Sequence, residues 1–112
     1  MSPKSLIAEW VERFNAKDAT GLAELYSDDA VNHQVANEEV RGRENIRRMF
    51  ETEFSNFEMV CLVENIFEDG NVGMLEWVSP GGLRGCGFFW FEDSKIILQR
   101  GYWDKASFQK EH

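Results

Sequence analysis

Apolar and polar positions alternate most clearly in the last third of the chain. Leu83 to Phe91 reads Leu-Arg-Gly-Cys-Gly-Phe-Phe-Trp-Phe, and Ile96 to Asp104 reads Ile-Ile-Leu-Gln-Arg-Gly-Tyr-Trp-Asp. Glu92 to Lys95 forms a short polar break between them, the pattern of an antiparallel hairpin. Side chains alternate across a strand, so Phe89 and Phe91 point one way and Phe88 and Trp90 the other. Both faces are apolar, and both are therefore expected to be covered, by helices, a ligand pocket or a second subunit.

The N-terminal half follows a different period. Leu6, Ile7, Trp10, Val11 and Phe14 recur at helical spacing behind Ser2-Pro3, which suits an N-cap and a proline in the first turn. This predicts a helix to about Asn15. Asp18 can cap a second helix carrying Leu22, Leu25 and Tyr26, ended by Ser27-Asp28-Asp29. Ala30 to Val35 predicts a short strand, with Glu38 to Arg41 as its partner or as a loop. A third helix opens at Gly42-Arg43-Glu44, with the stripe Ile46, Met49, Phe50 and Phe54. Four strands are expected after it, over 57–67, 72–79, 83–91 and 96–103, separated by Asp69-Gly70-Asn71, Pro80-Gly81-Gly82 and Glu92 to Lys95. Helices followed by strands in this order predict one α+β domain over residues 1–112. Its three helices would pack on the concave face of a cone-shaped, curved antiparallel or mixed sheet. Such a cone has an interior, so a hydrophobic pocket is expected between helices and sheet, with the outer sheet face left for a homodimer partner.

Composition narrows the classes. The chain has 112 residues and a net charge of −8, with no run of Lys or Arg. That disfavours nucleic acids and anionic membranes as partners. No apolar run approaches the ~20 residues of a membrane span. No apolar segment follows Met1-Ser2-Pro3-Lys4 in the manner of a signal peptide, and a cytoplasmic protein is expected. Cys61 and Cys86 are isolated and read as reduced thiols. The histidines, His33 and His112, have no ligand spacing, so neither a metal nor another cofactor is expected.

Several segments together resemble a known superfamily: Asn15-Ala16-Lys17-Asp18, Leu25-Tyr26-Ser27-Asp28-Asp29-Ala30-Val31, Val40-Arg41-Gly42-Arg43-Glu44-Asn45-Ile46-Arg47 and Arg100-Gly101-Tyr102-Trp103-Asp104. They are similar to the nuclear transport factor 2-like superfamily, and within it to the SnoaL-like and ketosteroid isomerase-like group. The resemblance covers essentially the whole chain and speaks for fold rather than function, because the superfamily holds isomerases, epoxide hydrolases, cyclases and transport factors. Carried over residue by residue, the isomerase positions fall on Trp10, Gln34 and Gly87. A glutamine is not a useful proton base, and a glycine has no side chain. The limonene epoxide hydrolase triad falls on Trp77, Ser79 and Gly101, and the cyclase acid also on Gly101. None of these sets is complete here.

The remaining polar groups supply the candidates. His33, within Val31-Asn32-His33-Gln34, could be an acid or base near neutral pH, or a hydrogen-bonded histidine at a strand end or dimer edge. Glu76, mid-strand among apolar neighbours, could have a raised pKa, or pair with Arg84 or Arg100. If Gly101 faces inward, as the resemblance implies, Gln99 and Trp103 face the pocket with it. Trp10, Tyr26, Asn32, Gln34, Trp77, Gln99 and Trp103 are then the expected ligand contacts, and an apolar small molecule the expected ligand. The alternative for the aromatic members is that they are core. Two functions follow: a binding domain for an apolar molecule, or a small isomerase, cyclase or hydrolase using His33 and Glu76.

Overall fold

A computed structural model describes residues 1–112. Helix α1 spans Pro3–Asn15, with the Ser2 hydroxyl accepting from the Ser5 backbone N–H at 3.2 Å. Its buried positions are Leu6, Ile7, Trp10, Val11 and Phe14, the stripe read from the sequence. Helix α2 is one short turn, Ala19–Ala23, capped by Asp18. Helix α3, Arg43–Asn56, starts at Gly42, whose φ of 89° is easy only for glycine.

Strands β1 (Tyr26–Gln34), β2 (Val40–Arg41), β3 (Leu62–Asp69), β4 (Val72–Val78), β5 (Arg84–Glu92) and β6 (Lys95–Trp103) form one sheet in the order β2-β1-β6-β5-β4-β3. All pairs are antiparallel except β1 with β6, which run parallel and make the sheet mixed. The β5–β6 turn puts Asp93 and Ser94 both at positive φ, a tight two-residue hairpin turn whose twist matches that of the strands. A last helix, α4, covers Lys105–Glu111.

Three details differ from the sequence reading. Tyr26 begins β1 instead of ending α2. The segment Ser27 to Ala30 is irregular, with the β1–β6 register shifting between Tyr26 and Val31. That irregularity breaks the alternation by which a strand is recognised. Arg43 pins it, donating to the Tyr26 carbonyl at 2.9 and 2.8 Å and pairing with Asp28 at 2.7 Å. The third strand begins at Leu62 instead of Phe57, because Asn15 engages the chain first. Its side chain accepts from the Cys61 N–H at 2.8 Å and donates to the Cys61 carbonyl at 2.9 Å. Finally, α4 makes a fourth helix. Asp104 caps it by accepting from the Ser107 N–H at 3.1 Å.

The core lies between α1, α3 and the inner sheet face. Ile7, Leu22, Tyr26, Ala30, Ile46, Leu75, Phe89 and Ile96 are buried in it, and each large apolar side chain removed from water contributes about 1.5–3 kcal/mol. Rings of Trp10, Phe14, Phe50, Phe54 and Phe89 meet edge-on or stacked at 5.0–6.3 Å. The outer face carries Phe88, Trp90, Arg100 and Tyr102, which pack on one another. Phe88 lies 6.1 Å from both Trp90 and Tyr102, and the Arg100 guanidinium sits 5.4 Å above the Trp90 ring. The helices of the chain lie on the other face, so the expected second cover is not supplied from within.

Candidate functional site

Helices α1 and α3 hold the wide end of the curved sheet open, and a cavity of about 530 Å³ remains between them. Trp10 and Phe14 enter it from α1; Met49, Phe50 and Glu53 from α3; Leu75 and Trp77 from β4. Phe89 from β5 and Gln99, Gly101 and Trp103 from β6 complete the sheet wall. Phe108 of α4 lies at the mouth, 5.3 Å from the Phe57 ring and 5.2 Å from the Trp103 ring. Glycines make the room: a Cβ at Gly85 would overlap the Trp77 indole, and one at Gly101 would overlap Gln34.

One wall is polar and fully connected. The Trp10 indole N–H donates to the Tyr26 hydroxyl at 3.0 Å, and that hydroxyl donates to Gln99 Oε1 in a short hydrogen bond. From the other side the Trp103 indole donates to Gln34 Oε1 at 2.9 Å. Gln34 Nε2 donates to Asn32 Oδ1 at 2.8 Å, and Asn32 Nδ2 donates to Gln99 Oε1 at 3.2 Å. No fully buried side-chain nitrogen or oxygen lacks a partner, which is what makes a polar wall tolerable beside an apolar core. Burial holds the Tyr26 phenol well above its ordinary range despite hydrogen bonds from Trp10 and Asn32. It is therefore a neutral donor at any physiological pH.

The sequence candidates separate into two groups. Trp10, Gln34, Trp77, Gln99 and Trp103 line the cavity, and Tyr26 and Asn32 stand directly behind it in the network. Gly101 does face inward, with Gln99 and Trp103 beside it. His33 and Glu76, the two expected catalytic groups, are placed elsewhere. They occupy alternate positions to Asn32 and Gln34 and to Leu75 and Trp77, and so project from the opposite face of the sheet. His33 lies beside Arg100 of β6. Glu76 is exposed and accepts from Asn65 at 2.9 Å. It pairs with neither suggested arginine, since Arg84 takes Glu64 at 3.3 Å and Arg100 covers Trp90.

The sequence reading missed Glu53. It follows Met49 and Phe50 by four and three positions and so falls on the apolar stripe of α3. That placement was the signal available. Its carboxyl lines the cavity with no ion pair and no hydrogen bond, and burial pushes its pKa up to about 7. The other charged groups at the cavity are engaged: Glu58 meets Lys17 at 3.1 Å and Lys105 reaches the Ala36 carbonyl at 3.4 Å. Cys61, also at the cavity, is a buried thiol with its pKa pushed up to about 12.

The family model of the SnoaL-like domain matches residues 7–99, and the chain belongs to this family. No functionally curated protein matches it. Among solved structures it resembles a hypothetical protein of ketosteroid isomerase-like fold from Catenulispora acidiphila, crystallised with trimethylamine. The TM-score is 0.85 at 14% identity, over 96% of this chain and 90% of that one. An NTF2-like protein of unknown function from Cytophaga hutchinsonii matches with TM-score 0.80 and 16% identity, over 97% and 96%. The epoxide hydrolase/cyclase-like enzyme SalBIII of salinomycin pyran ring formation matches with TM-score 0.81 and 18% identity, over 92% and 91%. At these identities the likeness is one of fold.

Proposed function

We propose that this SnoaL-like domain binds a small hydrophobic molecule in the cavity between α1, α3 and the sheet. The observation that carries this reading is the union of an aromatic-walled space of about 530 Å³ with a polar wall whose side chains hold one another by hydrogen bonds. That volume lies within the ordinary range of ligand sites. A wall held in place by its own hydrogen bonds is preorganised and loses little entropy on binding. Three of the four tryptophans, Trp10, Trp77 and Trp103, line the space, so occupancy is read by fluorescence. Titration with naphthalene-sized apolar compounds is expected to give saturable one-to-one quenching in the wild type. Gly87→Leu, which extends a side chain into the cavity, is expected to abolish it. Quenching unchanged by Gly87→Leu would place binding elsewhere.

Glu53 favours a second reading, a small enzyme of isomerase, cyclase or hydrolase type. An acid/base group serves best when its pKa is close to the working pH, and Glu53 is the cavity carboxyl in that position. Turnover of a cavity ligand that disappears in Glu53→Gln while binding persists would select the enzyme over the binder.

The outer face supports a further part of the proposal, a homodimer. Phe88, Trp90 and Tyr102 form an aromatic surface there that no helix of the chain covers. A cytoplasmic setting goes with two free thiols.

A further inference from the structure

The direction of the polar wall determines what it offers a ligand. An indole N–H can only donate. Trp103 therefore obliges Gln34 to turn its oxygen toward the indole and its nitrogen toward Asn32. Asn32 must then present its oxygen to Gln34 and its nitrogen to Gln99. The Tyr26 hydroxyl accepts from Trp10 at 3.0 Å and from Asn32 at 3.4 Å, which fills its two lone pairs and leaves its proton for Gln99. Both relays end on Gln99 Oε1. Turning the Gln99 amide over would set its nitrogen against the Asn32 nitrogen, donor against donor. The orientation is thus forced from two sides, although amide oxygen and nitrogen are hard to tell apart by shape.

Gln99 Nε2 is what remains. It has no partner within the chain, yet it is not among fully buried atoms lacking one, and Gln99 lines the cavity. Its open nitrogen therefore belongs to the cavity side. Two donors on one amide, with their carbonyl end polarised by Tyr26 and Asn32, form a site for a lone pair.

We propose that the cavity holds its ligand through an uncharged acceptor oxygen on an otherwise apolar molecule, bound by the side-chain N–H of Gln99. This rests on the reading of the cavity as a binding site and specifies its chemistry. Trp10, Tyr26, Asn32, Gln34 and Trp103 are positioning residues, since they act through Gln99. Glu53 makes no hydrogen bond with this network, although its charge is felt at the Tyr26 hydroxyl.

Three probes of closely similar shape test the proposal by calorimetry: 2-acetylnaphthalene, 2-isopropenylnaphthalene and 1-(2-naphthyl)ethylamine. The ketone is expected to bind roughly tenfold tighter than the alkene, the worth of one well-made hydrogen bond. Gln99→Met is expected to bring the ketone down to the affinity of the alkene while leaving the alkene unchanged. Equal wild-type affinities for ketone and alkene overturn the inference and leave the binding site standing. Tightest binding of the amine also overturns it, in favour of Glu53 as the anchor. If no probe binds, the binding reading itself fails and this inference with it. Should Gln99→Met not fold, the side-chain amide resonances of Gln99 in wild-type protein decide. They are expected to move with the ketone and not with the alkene; equal movement with both overturns the inference.

Discussion

Gly101 lies so close under the Gln34 carboxamide that a single methyl group on it would overlap that amide. The two residues are register partners across the parallel β1–β6 pair. Gly101→Ala must therefore displace Gln34 and break its bonds to Trp103 and Asn32. The expected cost is about 1–3 kcal/mol, the range for buried polar groups losing partners. Urea unfolding measures it. In a Gln34→Ala background the same substitution should cost clearly less, because the overlap is gone. An equal cost in both backgrounds would show that crowding against Gln34 is not the reason.

Glu53 gives the protein a pH dependence of definite sign. Its ordinary pKa is 4.5 and burial raises it to about 7 in the folded state. Between these values the folded chain holds a proton that the unfolded chain has released. Stability from this group therefore falls as pH rises from about 4.5 to about 7, and is level above. Glu53→Gln removes the effect. The variant is expected to gain on the order of 2 kcal/mol over wild type on moving from pH 5 to pH 8. A wild-type-to-variant difference that is the same at both pH values would contradict the burial of this carboxyl.

Cys61 should be chemically quiet. A thiol with its pKa pushed up to about 12 by burial supplies almost no thiolate at pH 8. In a Cys86→Ser variant, Ellman's reagent is expected to label the remaining thiol only after denaturant is added. Rapid labelling of the native protein would mean that the segment joining α3 to β3 opens readily.

The outer sheet face should behave as a contact between copies of the chain. Light scattering is expected to report twice the chain mass at micromolar concentration. Trp90→Asp, which sets a charge among Phe88, Arg100 and Tyr102, is expected to yield monomer or aggregate. A wild-type monomer under these conditions removes the dimer from the proposal.

Much of this was legible from residue order. Ser2-Pro3 marked the start of α1 because cap and proline act locally, and the aromatic hairpin was plain from its alternation. Tyr26 was misplaced because Leu22, Leu25 and Tyr26 satisfy helical spacing, while the irregular Ser27–Ala30 segment hides the period of the strand. Helix α4 escaped because its one large apolar residue, Phe108, makes no stripe. Among site residues, the family resemblance, not the residue pattern, turned Gly101 inward and with it Gln99 and Trp103, which line the cavity. His33 and Glu76 stood out as ionisable groups within strands, but alternation alone does not say which face is inside; Asn32 and Leu75 occupy it instead. Glu53 was passed over because a charge on a helix usually marks its solvent side, and here it is half-buried and faces the cavity.

The bond between Tyr26 and Gln99 joins residues 73 positions apart. Such distant partners meet only after a long loop has closed, the slow step in folds rich in remote contacts. Helix α1 and the aromatic hairpin draw on neighbours close in sequence and can gather early. The amide relay cannot, since β1 must first find β6. During synthesis, the wall that lines the cavity comes together only once β6, the last of the six strands, has left the ribosome.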